Sequence, residues 1–345
     1  MQLQAIRIGA PSGRTSRITA LDFTKGVLVL FMVLYHWLNY FYSPYGEFYR
    51  YLRFLTPSFI FITGFLISHV YFTNYGTAIR RPQRRLVVRG LKILAIFCLL
   101  NLTIAVLPGS HTRSILAVNS ATANLMKIFV TGNVLSQFGK AVSFGILVPI
   151  SYLLLISAVV WPFSKKFAYV FHTICIGMFL CVFSLGRVGI QSSYLELLAV
   201  GLLGVVCGFA PSTKIAKLVS RPFALGLAYC LYLCLITLWD PYLVRVVGVC
   251  LTLMILYALG VAYSGSGRLA THLIVLGRYS LFGYIWQIAI LQFLHWALGH
   301  GITGTGASVA SFFAGFAVTM GSIEALDRLR TQSRTLDQAY RVAFA

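Results

Sequence analysis

The sequence predicts an all-α, polytopic transmembrane helix bundle of about ten spans, and three observations lead to this prediction. Of the 345 residues, 59% are hydrophobic and only 10% are charged, whereas soluble domains are about 45–50% apolar and about 25% charged. Apolar runs of the length that crosses a bilayer, about 20 residues, recur along the whole chain. The basic residues are distributed unevenly between these runs. This composition excludes a soluble domain and also excludes a disordered chain, which needs low hydrophobicity.

Ten apolar runs are the candidate spans, and short breaks that contain Pro, Gly or charged residues separate most of them. In chain order they are Leu21–Phe41, Leu52–Phe72, Leu86–Leu107, Phe144–Trp161, Phe167–Leu185, Tyr194–Ala210, Phe223–Trp239, Tyr242–Tyr263, Leu276–Leu298 and Ala307–Ser322. We therefore divide the chain into an N-terminal segment at 1–20, a transmembrane domain at 21–322 and an amphipathic tail at 323–345, whose apolar residues recur at helical spacing.

The excess of positive charge gives the orientation of these spans. Lys and Arg total 28 against 7 Asp and Glu, so the formal net charge is +21. Ten spans place both termini on one side of the membrane, and that side carries 21 of the 28 basic residues. The positive-inside rule makes this side cytoplasmic. The basic residues therefore indicate topology, and we expect no nucleic-acid partner.

The first span carries the ionisable residues that are hardest to explain by topology alone. Lys25 and His36 are separated by three helical turns plus about 20°, so they share one helix face about 16 Å apart. Asp22 lies about 40° from the same line. Ionisable groups inside spans are costly and are functional candidates by default. A neutral imidazole can accept a proton at pH 7, and a cation near the cytoplasmic end can hold a phosphate group. The structural alternative is a core histidine and a snorkelling lysine.

Several motifs resemble the integral-membrane acyltransferases, the acyltransferase-3 superfamily with its glucan-succinylating and heparan-α-glucosaminide N-acetyltransferase-like relatives. The family's "LDxxRG…H" first span is similar to Leu-Asp-Phe-Thr-Lys-Gly at 21–26 followed by His36. Its "P-x-F-x-F-x-x-G-F" second span is matched from Pro57 to Phe65, and its "LGRxSLxxY" segment from Leu276 to Tyr284. Two departures stand out. Lys25 replaces the usual Arg, and Gln287 lies where many members have a His.

The resemblance implies transfer of an acyl group, acetyl or succinyl, from cytoplasmic acyl-CoA to a hydroxyl or amine of a sugar-containing acceptor, without a metal. It implies that His36 is the general base and that Asp22 orients the face. Candidate ligands of the CoA phosphates are Lys25, Arg84, Arg85, Arg89 and Arg278. For the loop arginines, a purely topological role is the alternative.

Contacts to the saccharide or glycolipid acceptor are expected from Asn39, Tyr40 and Arg53, which lie around the outer ends of the first two spans, and from Gln287. Interfacial tyrosines and a surface ion pair are the structural alternative for the residues at the outer ends. The expected location is a bacterial inner membrane.

A different class of function, a transporter or flippase for an anionic or lipid-linked solute, also requires intramembrane charge and a basic cytoplasmic entrance. Transporters often contain inverted repeats, and the sequence shows no clear repeat.

Overall fold

The computed structural model describes residues 18–42, 49–72, 80–106, 127–132, 135–136, 139–140, 144–167, 169–263, 267–297 and 305–344. Most of the predicted N-terminal segment, residues 1–17, lies outside this part of the chain. The described residues form fourteen α-helices, two π-helical turns and one small hairpin. The predicted all-α class therefore agrees with the structure, with the hairpin as a minor addition.

In chain order, the described elements are mostly helices. The helices are α1 (Thr19–Phe41), α2 (Tyr49–Leu52), α3 (Leu55–Leu66), α4 (Arg80–Val106), α5 (Leu147–Lys166), α6 (Val170–Arg187), α7 (Ser193–Gly208), α8 (Ser212–Val219), α9 (Pro222–Leu238), α10 (Tyr242–Tyr263), α11 (Arg268–Arg278), α12 (Ser280–Ala297), α13 (Thr305–Gln332) and α14 (Arg334–Phe344). The π-helical turns are Ile67–Phe72, which continues α3, and Lys127–Thr131. Strands β1 (Leu135–Ser136) and β2 (Gly139–Lys140) pair antiparallel.

Seven helical segments in the described part of the chain are each long and apolar enough to cross a membrane. They are Thr19–Phe41, Tyr49–Tyr71, Arg80–Ile104, Leu147–Ser164, Val170–Arg187, Tyr242–Tyr263 and Gly306–Gln332. Two bent pairs raise the number to as many as nine: α7 with α8 at 109°, and α11 with α12 at 89°. The remaining predicted run falls on α9, which is apolar but shorter. The prediction of a multi-pass helical membrane protein is confirmed at this level, whereas the number ten stays a prediction.

Large apolar side chains point outward from several of these helices. Leu99 of α4 is 64% exposed, Ile176 of α6 is 61% exposed and Leu231 of α9 is 61% exposed. Soluble monomers rarely expose contiguous apolar surface on this scale, and such surface marks contact with a membrane or a partner. The outward faces of α4, α6 and α9 are therefore suited to contact with lipid.

Local sequence signals explain where several helices begin. Asp22 lies in the first turn of α1, where the helix dipole favours a negative charge. The Ser192 hydroxyl accepts a hydrogen bond from the Leu195 backbone N–H at 3.4 Å and so caps α7. Pro222 is the first residue of α9, a position where its missing N–H costs nothing. These signals agree with the spans that hydropathy predicts.

Glycines bring α1 and α11 unusually close together. A Cβ atom placed on Gly277 would overlap the carbonyl oxygen of Asp22, and one placed on Gly26 would overlap the carbonyl oxygen of Leu273. Small residues of this kind let helix backbones approach in membranes, where packing rather than water exclusion holds helices together. The contact fixes the first turns of α1, which carry Asp22 and Lys25, against α11.

A second glycine contact joins α3 to α7. Cβ atoms on Gly64 and Gly204 would overlap the backbone oxygens of Gly201 and Phe61, respectively. Helix α3 also contacts α1, and α10, α11, α12 and α13 pack around α1. The candidate site lies beside α1 and α3.

The tail folds back onto the bundle. Helix α13 continues through the predicted boundary at 322 to Gln332, and α14 follows after one residue. The Tyr340 ring packs on Tyr279 with ring centroids 5.3 Å apart, and the Arg330 guanidinium lies 3.9 Å from the centroid of the Tyr340 ring. The Tyr279 hydroxyl donates a hydrogen bond to Asp327 at 2.6 Å. The apolar stripe of the predicted amphipathic tail therefore faces the bend between α11 and α12.

Candidate functional site

The charged face of α1 is present as the helical spacing predicts. Lys25 Nζ lies 2.6 Å from Asp22 Oδ1, and the two side chains are only 18% and 10% exposed. Helix α1 runs without a break from Thr19 to Phe41, so Lys25 and His36 stay on one face about 16 Å apart. Asp22 is thus the counter-ion of Lys25, which is compatible with its predicted orienting role.

A cavity of about 120 Å³ lies beside this face, between α1, α3, α4, α5 and α12. It is lined by Lys25, Met32, Phe59, Ile62, Thr63, Leu66, Arg89, Ile93, Ile146, Leu147, Ile150, Ser280, Leu281 and Tyr284. The lining is mostly apolar, and its two charged residues, Lys25 and Arg89, are both basic. Charged groups in a partly desolvated site interact more strongly with a ligand than they do in water. The cavity is therefore suited to an anionic group attached to an apolar chain.

Tyr284 connects the cavity to the imidazole of His36. Its side chain lines the cavity, and its ring centroid lies 6.1 Å from that of His36. The His36 ring also meets Tyr35 edge-on, with the ring centroids 5.3 Å apart. Phe144 packs edge-on against Tyr284 at 5.8 Å. The imidazole is therefore packed among aromatic rings next to Tyr284, and His36 itself is not among the described residues that line the cavity.

The structure separates the predicted arginine ligands into two groups. Arg89 lines the cavity together with Lys25. Arg84, Arg85 and Arg278 are exposed and are not among the residues that line it. Arg89 is also exposed, so its place in the cavity lining distinguishes it from the other three. Arg84 lies about 140° from Arg89 around α4, because each residue advances 100°. Arg278 ends α11 immediately before the 89° bend.

The residues predicted to contact the acceptor also occupy different places. Tyr40 is held by a hydrogen bond with the Gln292 side chain, and its ring lies 6.0 Å from that of His295. Asn39 is half-buried on the same part of α1. Arg53 forms an ion pair with Asp240, whose Oδ1 also accepts a hydrogen bond from Arg245 Nε at 2.7 Å. Arg53 therefore occupies the surface ion pair that was its structural alternative.

Gln287 is the most unusual of the predicted residues. Its side chain is 0% exposed. In the part of the chain that the structure describes, neither its Oε1 nor its Nε2 has a hydrogen-bond partner. Buried polar groups in native proteins are nearly always hydrogen-bonded, and an exception requires an explanation such as a functional role. Gln287 lies one turn beyond Tyr284 on α12, so it follows the same helix face.

Sequence reasoning missed three polar residues of the cavity: Thr63, Ser280 and Tyr284. Tyr284 was the final residue of the matched "LGRxSLxxY" segment, so that motif contained the signal. Ser280 belongs to the same segment, and it is the first residue of α12. No sequence motif singled out Thr63 as a site residue. In the structure its hydroxyl donates a hydrogen bond to the Phe59 carbonyl within its own helix.

The described residues bring together no group of three or more His, Cys, Asp or Glu side chains that could hold a metal ion. Lys25 and Arg89 are the residues placed to hold an anionic co-substrate. Comparison of this chain with protein-family models, with curated proteins and with solved structures finds no match.

Proposed function

We propose that the protein is a membrane-embedded acyltransferase that moves an acetyl or succinyl group from cytoplasmic acyl-CoA to a hydroxyl or amine of a saccharide or glycolipid acceptor. The observation that carries this proposal is the cavity that Lys25 and Arg89 line together and that Tyr284 connects to His36. The resemblance of the motifs at 21–36, 57–65 and 276–284 points to the same chemistry.

Donor binding uses the two basic residues of the cavity. The phosphate groups of CoA are anionic, and Lys and Arg form charge-assisted hydrogen bonds with phosphate. The distance of about 16 Å from Lys25 to His36 suits an extended pantetheine arm that reaches from the cytoplasm into the bilayer. Asp22 neutralises part of the charge of Lys25 and holds its side chain on the cavity side of α1.

Transfer begins when His36 accepts the proton of the acceptor hydroxyl or amine. The acceptor oxygen or nitrogen then forms a bond to the thioester carbonyl carbon, and the carbon–sulfur bond breaks. CoA leaves as a thiolate and takes up the proton that His36 accepted, which restores the neutral imidazole, so no oxidant or metal is consumed. A general base in this position contributes about 10²–10⁴-fold to the rate. Gln287, Asn39 and Tyr40 are assigned to the acceptor side.

The proposed topology places ten spans in a bacterial inner membrane with both termini in the cytoplasm. The proposal counts the seven long helices, the two bent pairs and the shorter apolar helix α9 as the ten spans. This arrangement puts Lys25 and Arg89 near the cytoplasmic surface, because both belong to the basic side under the positive-inside rule. The donor then enters from the cytoplasm and the acceptor from the opposite side.

Purified protein in lipid nanodiscs, incubated with acetyl-CoA labelled in the acetyl group, tests the proposal. We expect saturable binding of acetyl-CoA and slow release of free CoA thiol, and we expect His36→Gln to stop thiol release while binding persists. The contrary result is that the protein carries an anionic solute into proteoliposomes while it neither binds nor cleaves acetyl-CoA. That result would contradict the acyltransferase proposal and support a transporter.

A further inference from the structure

A second and larger cavity, of about 360 Å³, lies on a neighbouring face of α1 and α3. It is lined by Leu21, Thr24, Phe61, Ile62, Phe65, Cys207, Ala210, Lys214, Ile215, Leu218, Val219, Cys250, Leu253, Met254 and Tyr257. Its volume falls within the range of about 300–1,000 Å³ that is usual for small-molecule sites. Lys214 is the single charged residue among the described residues of this lining, and most of the others are apolar.

The two cavities are separate sites with a shared wall. Thr24 lines the larger cavity and Lys25, the next residue of α1, lines the smaller one. Ile62 of α3 lines both. The larger cavity contains neither basic residue of the proposed donor site, and His36 and Tyr284 do not line it. It therefore requires an explanation of its own.

The walls of the larger cavity offer little to a polar solute. The Thr24 hydroxyl is already engaged, because it donates a hydrogen bond to the Ala20 carbonyl at 2.9 Å. The remaining lining consists mainly of aliphatic, aromatic and sulfur-containing side chains. Apolar cavities stay free of water and bind apolar molecules. A flexible hydrocarbon chain fits such a lining.

Helix α8 places one positive charge at the edge of this apolar space. It turns by 109° from α7, and its apolar residues Ile215, Leu218 and Val219 line the cavity. Lys214 and Lys217 lie on its exposed surface. A short helix with an apolar face and a basic face is typical of a helix that lies at the membrane interface. Lys214 is thus both part of the cavity and at the depth of lipid head groups.

We propose that this cavity binds one acyl chain of an anionic glycerophospholipid from the surrounding membrane, with the lipid phosphate held by Lys214. An anionic head group is favoured, because the one charged residue among the described residues of the lining is the cation Lys214. The apolar space between α1, α3, α7, α8 and α10 accommodates the acyl chain. The site does not depend on the proposed acyl transfer.

The test uses the full chain in nanodiscs that contain phosphatidylglycerol with a photoreactive diazirine on one acyl chain. After irradiation, mass spectrometry of the digested protein identifies the labelled peptides. We expect labelling of α7 and α10 around Cys207 and Met254. Lys214→Gln is expected to lower this labelling about fivefold, because one basic residue near the surface contributes about 1 kcal/mol toward an anionic lipid.

Lys217→Gln is the matched control, because Lys217 lies on the same helix but does not line the cavity. Equal losses in the two variants would overturn the phosphate contact at Lys214. Ala210→Phe fills the cavity, and Met254→Trp fills it independently if the first variant does not fold. Each correctly folded filling variant is expected to lose the labelling. Persistence of labelling in such a variant overturns the site.

Two further probes distinguish the source of the chain. A phosphatidylcholine analogue with the same diazirine chain is expected to label these peptides less than phosphatidylglycerol does, and equal labelling would overturn the selection of an anionic head group. A free fatty acid with the same diazirine is also expected to label them less. Labelling by the fatty acid that exceeds labelling by phosphatidylglycerol would overturn the phospholipid assignment.

Discussion

Lys25 and Arg89 line one cavity from two different helices, and among the described residues only Lys25 has a carboxylate beside it. Asp22 Oδ1 lies 2.6 Å from Lys25 Nζ, and the described part of the lining contains no acidic residue. The cavity therefore keeps an excess of positive charge next to a largely apolar wall. An anionic ligand relieves this imbalance, because it offsets the repulsion between the two cations and supplies hydrogen-bond acceptors to both.

Removal of either charge is expected to weaken binding of the acyl-CoA donor. Lys25→Met and Arg89→Met should each raise the KM for acetyl-CoA by about tenfold or more, because hydrogen bonds to charged groups contribute about 1.5–3 kcal/mol. The measurement is initial-rate kinetics with purified protein. Arg84→Gln is the control, because Arg84 is exposed and does not line the cavity. An equal rise in KM for all three variants would show that only the general surface charge matters.

His36→Gln is expected to reduce acyl transfer by at least about 100-fold, because the general base is lost. Binding of acetyl-CoA should persist, since the basic residues of the cavity are unchanged. Single-turnover transfer and equilibrium binding, measured on the same preparation, separate these two effects. Tyr35→Phe keeps the ring that packs edge-on against His36 and should stay close to wild type. Transfer that survives His36→Gln contradicts the assignment of the base.

Gln287→Leu is expected to stabilise the protein while it impairs transfer. The Gln287 amide is fully buried and has no hydrogen-bond partner among the described residues, so its removal should relieve a desolvation cost of about 1–2 kcal/mol. Thermal unfolding in detergent measures the gain, and the KM for the acceptor measures the functional loss. Gln292→Leu should lower the unfolding temperature, because Gln292 forms a hydrogen bond with Tyr40 that the leucine cannot form. A destabilised Gln287→Leu variant would refute the prediction.

Gly277→Ala is expected to destabilise the fold by about 3 kcal/mol or more. The new methyl group would overlap the Asp22 backbone, and overpacking against a rigid neighbour usually costs about 1–3 kcal/mol and sometimes more. Gly226→Ala is the matched control on α9, where a Cβ meets no atom within 4 Å. There the change should be neutral or slightly stabilising, because Ala favours helix by up to about 1 kcal/mol. Similar unfolding temperatures for both variants would rule out the tight contact between α1 and α11.

Docking of α14 is expected to weaken in acid. The hydrogen bond from Arg330, together with the charge of Arg341, lowers the pKa of Asp337. An aspartate with a lowered pKa in the folded state stabilises that state above its unfolded pKa of about 3.9, and the stabilisation is lost as the pH falls through the folded pKa. Proteolysis of the tail should therefore accelerate below about pH 4. Asp337→Asn should be susceptible already at pH 7, and a tail that stays resistant in that variant contradicts the prediction.

Helical periodicity was sufficient to place Asp22, Lys25 and His36 on one face, because α1 is regular from end to end. It also placed most span boundaries within a few residues, since the apolar runs are bounded by charge, Pro and Gly. The predicted span Tyr194–Ala210 ends close to the bend after α7, because Pro211 interrupts the apolar run there. The bend after α11 was not predicted, because the span Leu276–Leu298 runs through Tyr279, whose aromatic ring continues the hydropathy signal.

The sequence did not distinguish Arg89 from Arg84 and Arg85, because all three belong to one basic run on α4. The distinction depends on which face of α4 meets α5, and that is a tertiary property. The close contact of Ser151 with Gly90, whose carbonyl accepts a hydrogen bond from Ser151 Oγ at 2.8 Å, belongs to this interface. Arg53 illustrates the same limit, since its partner Asp240 comes from a distant part of the chain.

The bend at Tyr279 has an electrostatic consequence for the smaller cavity. Because α12 begins there, Ser280 and Leu281 line the cavity from the first turn of a new helix. The start of a helix carries the equivalent of about half a positive charge from its aligned peptide dipoles. The backbone therefore contributes to the anion-attracting field of the cavity, and this contribution persists when the side chains of Lys25 and Arg89 are both replaced.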